Sequence, residues 1–146
     1  MIRRAVVSLA FLVLAGMTAM AGAAPAVSID RPRVRWLPGQ LPMAGYMVLR
    51  NTGDQAVTLV GAASDAFARV MIHRSEIKDG QSRMVHVPEL EIQPGGKAVF
   101  QPGGLHLMLM QRKRDLRPGD TVDIELKFEG GRTRTWSFKV VPAGGE

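Results

Sequence analysis

The chain holds three histidines, and each stands two residues from a methionine: Met71 with His73, Met84 with His86, and His106 with Met108. In an extended strand, residues i and i+2 point to the same face. Each pair would therefore present an imidazole and a thioether side by side. Thioether sulfur is soft and uncharged, and takes no proton at ordinary pH; imidazole ligates copper, zinc and nickel alike. Zinc sites draw on His, Cys and carboxylate rather than thioether. Two Met and two His would bring no negative charge, which favours a soft monovalent ion, Cu(I) or Ag(I). The chemistry suggested is the holding of a metal rather than the making of a bond.

The clearest instance is Gln101–Met110, QPGGLHLMLM. A Pro-Gly-Gly turn leads into strict alternation, with Leu105, Leu107 and Leu109 on one face as core. His106, Met108 and Met110 would share the other face. Methionine alone is weak evidence, because it fills irregular gaps in cores well. Met43 and Met47, remote from any histidine, are expected to be core residues.

Composition narrows the classes. The 146 residues are 46% hydrophobic and 22% charged, which fits one folded domain of ordinary size. Cysteine is absent, which excludes thiolate nucleophiles, iron–sulfur clusters, disulfides and blue-copper electron transfer. Methionine in place of cysteine also avoids disulfide formation in an oxidising compartment. Residues 1–23 read as a cleaved secretory signal: Arg3 and Arg4 lead an apolar Ala5–Gly16 run, and Ala21-Gly22-Ala23 offers the cleavage site. The mature domain is then 24–146, with no integral membrane span. The full chain's formal net charge of +6 includes Arg3 and Arg4, and export argues against nucleic acid as the partner.

The elements that must position the His/Met pairs are short strands separated by Gly/Pro turns. Val27–Trp36 alternates loosely, placing Arg31, Arg33 and Arg35 on one solvated face. Ala44–Arg50 and Ala56–Gly61 flank Asn51-Thr52-Gly53-Asp54, which predicts an antiparallel hairpin. Val70–Glu76 and Ser82–Val87 flank Lys78-Asp79-Gly80-Gln81, a second turn. Lys97–Gln101 leads into the Leu105 strand. Thr121–Phe128 alternates cleanly, with Val122, Ile124, Leu126 and Phe128 inward, and Gly130-Gly131 turns into Thr133–Val141. Eight or so strands without a long amphipathic helix predict an all-β Greek-key sandwich or barrel.

At this point the residues resemble a known family, the PCu(A)C-type periplasmic copper chaperones. Its pattern is a His, ten residues, a Met, twenty-one residues and His-x-Met, which His73, Met84, His106 and Met108 match. AGYMVLRNTGD, PGGLHLMLM and LRPGDTVDIELKF resemble its hairpin and later strands. The resemblance implies a cupredoxin-like fold holding one Cu(I) through His73, Met84, His106 and Met108. It also implies a periplasmic location and delivery to a cytochrome oxidase copper site, with a Sco-type thiol protein as partner. His86 is an extra donor outside the pattern, expected near the site without being an essential ligand.

Two other classes compete. A metal-free periplasmic β-sandwich assembly protein would use the same scaffold. An enzyme would need a catalytic constellation, and Ser64, Asp65 and His73 form only a weak candidate without a nucleophile-elbow motif. The basic segment Gln111–Arg117 reads as a solvated turn or, less simply, a docking rim for an acidic membrane-protein surface.

Overall fold

The computed structural model describes residues 23–145. The expected leader falls outside these residues, save for Ala23. Ten strands follow in chain order: β1 (Val27–Arg35), β2 (Met43–Asn51), β3 (Val57–Ala63), β4 (Phe67–Lys78), β5 (Gln81–His86), β6 (Leu90–Ile92), β7 (Lys97–Phe100), β8 (Leu105–Arg112), β9 (Thr121–Phe128) and β10 (Arg132–Val141). A 3-10 turn at Glu129–Gly131 links the last two. Among the described residues no helix is long and apolar enough to cross a membrane.

The strands form a cupredoxin-like barrel. Around it run β4, β8, β2, β1, β10, β9 and β3, with β7 wedged between β8 and β2. One pair, Ala62 opposite Val70, joins β3 to β4 and closes the circuit. Beyond that pair the two strands diverge: β6 lines β3, and β5 lines the far half of β4. Strand β1 lies antiparallel to β2 and parallel to β10.

Alternation explains the core. Val122, Ile124, Leu126 and Phe128 all point inward and are almost wholly buried, as the sequence predicts. Leu107 and Leu109 are buried with Ile72 of β4, and Met43 and Met47 fill the core from β2. Gly45 is required by closeness: a Cβ there would lie 3.1 Å from the Leu107 Cβ. The β4–β5 turn places Asp79 and Gly80 at φ 54° and 74°, between the paired Lys78 and Gln81. Positive φ at both central residues is the tight hairpin geometry that an Asp-Gly sequence favours.

Two expectations fail. The predicted hairpin at Asn51–Asp54 does not form, because β2 pairs with β1, β7 and β8 while β3 pairs with β4, β6 and β9. The segment is a corner between the two sides of the barrel. Buried Asn51 holds it by donating from Nδ2 to the carbonyls of Gln55 and Ile92, at 2.7 and 3.0 Å. Its Oδ1 accepts the Gly53 N–H at 3.0 Å, an Asx turn that imitates a hairpin signal. Arg31, in turn, does not share a simple alternating face with Arg33 and Arg35. It has φ 48° in a bulge between Asp30 and Arg33, and only the latter two lie over the Tyr46 ring.

Candidate metal centre

Three strands assemble the centre. In β4 and β8, His73 is paired directly with His106 and Met71 with Met108. In β4 and β5, His73 is also paired directly with His86, and Ser75 with Met84. All these side chains lie on the face opposite buried Ile72 and Leu107. His73 thus occupies the middle of the group, with its ring centroid 6.0 Å from His106 and 5.8 Å from His86. Met108 and Met84 stand one step along the same face on either flank, the diagonal positions of a cross-strand grid. His73, Met84, His106 and Met108 therefore share one face of three neighbouring strands.

Burial falls across the group. His106 is only 4% exposed on interior strand β8, His73 is half-buried, and Met84 on edge strand β5 is 59% exposed. Among the described residues, both ring nitrogens of His73 and Nε2 of His106 are buried without a hydrogen-bond partner. Buried polar atoms are almost always partnered, so three orphaned nitrogens on two facing rings are an anomaly for a purely structural pair. Burial lowers the His73 pKa below its ordinary value, with the charges His106 and His86 would carry adding to the effect. A neutral ring keeps the lone pair that a metal requires.

Backbone carbonyls set two of the rings. His106 Nδ1 lies 3.1 Å from the Gly104 oxygen, and His86 Nδ1 lies 3.2 Å from the Ile72 oxygen. A carbonyl can only accept, so in the neutral ring each Nδ1 carries the proton and each Nε2 keeps a lone pair. Both oxygens also accept a backbone N–H, from Ser75 at 3.1 Å and Val87 at 2.9 Å. Orienting a ligating imidazole through its other nitrogen is a recurrent feature of metal sites. No sequence signal marks Gly104 or Ile72 for this task, because a carbonyl's role depends on register alone.

The remaining candidates separate. Met71 shares the face, but its sulfur accepts from Arg69 Nη2 at 3.5 Å, and an adjacent guanidinium disfavours a cation there. Met110 sits one pair further along β8, opposite Arg69. Among the described residues, no three His, Cys, Asp or Glu side chains converge to hold a metal. The imagined Ser64–Asp65–His73 triad is not assembled: the Ala62–Val70 register carries Ser64 away from His73, and Ser64 Oγ accepts from the Ala66 N–H. In Gln111–Arg117, Arg112 donates to Gly39 and Arg114 to Thr121, while Trp36 Nε1 donates to the Leu116 carbonyl at 2.6 Å. That segment is a tied-down bend.

Comparison with known proteins follows the same lines. The LpqE-like family model matches residues 27–140. A protein of Leifsonia xyli subsp. xyli, named "Putative lipoprotein Lxx21020", is 32% identical over 91 residues, 62% of this chain and 55% of its own. The chain spans about half the length of the curated relatives it matches. The solution structure of CuI-DR1885 from Deinococcus radiodurans is 34% identical, covers 87% of this chain and 84% of its own, and superposes with a TM-score of 0.64. The copper-bound PCuAC domain from PmoF2 covers 83% of this chain and 97% of its own, with a TM-score of 0.67; at 23% identity it speaks for the fold.

Proposed function

Because the chain belongs to the LpqE-like family, the PCuAC proteins, we propose that it is a periplasmic Cu(I) chaperone that delivers copper to a respiratory oxidase. It is a carrier and not an enzyme. The proposed ligands are His73, Met84, His106 and Met108. A Sco-type thiol protein or the oxidase subunit itself is the proposed recipient, since a thiolate withdraws Cu(I) from neutral donors.

One observation carries the reading: His73 and His106 stand directly opposite each other, and both nitrogens of the first and Nε2 of the second are buried without a hydrogen-bond partner. Cu(I) would satisfy Nε2 of His106, already set as an acceptor, and one nitrogen of His73. Met84 and Met108 would supply the soft donors that select the monovalent ion. The absence of any carboxylate from the group disfavours hard cations. The likeness to DR1885, whose Cu(I) form has been solved, points the same way.

Native mass spectrometry during an anaerobic Cu(I) titration tests this directly, with one ion per protein expected. Met84→Ala with Met108→Ala should lower Cu(I) affinity by about a hundredfold or more, the upper end of what loss of an outer-shell partner alone costs. The remaining imidazoles should retain measurable Cu(II) affinity. Unchanged Cu(I) affinity in the double variant would remove the thioethers from the site. Failure of the unaltered protein to bind Cu(I) would leave the metal-free assembly protein as the better reading.

A further inference from the structure

We propose that His86 is an exit ligand: it takes Cu(I) from His106 as the ion leaves, so that transfer to a recipient proceeds across edge strand β5. The inference rests on the copper reading above but concerns a residue outside its four ligands.

Three observations carry it. His86 is held as a ligand is held: its Nδ1–H donates to the Ile72 carbonyl, as that of His106 donates to Gly104, and each Nε2 keeps its lone pair. An exposed histidine with a merely solvated role needs no such fixation. His86 also stands in the same relation to His73 as His106 does, at 5.8 against 6.0 Å and interplanar angles of 71° and 75°. Finally, the two flanks differ in access. His106 is almost fully buried on an interior strand, whereas every residue of β5 is exposed, and Met84 is 59% so. The strands thus repeat one donor pair, Met84–His86 outside and His106–Met108 inside, about a shared His73.

The three rings do not converge, so His86 cannot simply add a third imidazole to the same ion. Exchange is the alternative. The His86 Nε2–Cu bond forms as the His106 Nε2–Cu and Met108 Sδ–Cu bonds break, with His73 and Met84 retained, so the ion passes from four ligands to three. Copper stays monovalent and no proton is released, because Nε2 of His86 carries none. The ion then lies at the exposed strand edge, where an incoming thiolate meets the least steric resistance.

The test compares the unaltered protein, His86→Ala and His86→Met, each loaded with one Cu(I) under anaerobic conditions. A competition titration measures affinity, and stopped-flow mixing with excess chromophoric bidentate Cu(I) chelator measures transfer. His86→Ala should keep one-to-one binding within about threefold in affinity and transfer copper about tenfold more slowly. His86→Met, which restores a soft donor, should recover much of the rate. Unchanged transfer in His86→Ala overturns the proposal. So does collapse of its stoichiometry, which would make His86 a resting ligand. Failure of the unaltered protein to bind Cu(I) removes the copper reading first, and is recognised without any variant.

Discussion

The imidazole of His73 has a neighbouring ring on each side and no hydrogen bond at either nitrogen. Its pKa is lowered by burial first, and by proximity to His106 and His86 next. The unfolded chain would take up this proton near pH 6.5. As pH falls through that value, the unfolded state gains a proton that the folded state still refuses. Stability is therefore lost on acidification, until pH passes the lowered folded value. Urea denaturation of the metal-free protein should show a midpoint that falls between about pH 7 and 5, and His73→Gln should flatten that fall. A pH-independent difference between the two proteins would place the destabilisation elsewhere. Copper binding should weaken over the same range, because protons compete for imidazoles but not for thioethers.

Between residues and molecule lies the register, and this is where sequence and structure diverge most usefully. Period-two alternation put the His/Met pairs on strand faces and the leucines of β8 in the core, because that period is a local property of the chain. Which strand lies beside which is not local. Hence the direct pairing of His73 with His106 could not be read, and the Asn51 corner resembled a hairpin. Its signal was an Asx turn made by one side chain, and a turn of that kind serves a crossover as well as a hairpin. The resemblance in ligand spacing supplied part of what alternation could not. Gly45 offers a test at this scale. Gly45→Val would force β2 away from β8 at Leu107, the residue between His106 and Met108. We expect a loss of about 1–3 kcal/mol, typical of overpacking, seen as a lower denaturation midpoint with weaker Cu(I) binding. Weakened binding at undiminished stability would show that the contact is yielding.

As a whole, the molecule is a barrel with one slender closure. Strand β4 carries both that closure, at Val70 opposite Ala62, and the His73 row three residues further on. The remaining joins in the circuit use three to eight paired positions each. Local opening of a protein begins where few bonds must break, so amide hydrogens beside Ala62 and Val70 should exchange with solvent early. Copper held as proposed, between β4, β5 and β8, would not cross the β3–β4 join. Exchange measured with and without Cu(I) should then slow from His73 to His86 and stay nearly unchanged at Ala62 and Val70. Uniform slowing across the chain would instead mean that the ion tightens the barrel as one unit. In the expected pattern the protein keeps a soft seam whether or not it is loaded, so that cargo stiffens the face a recipient meets while the barrel continues to breathe behind it.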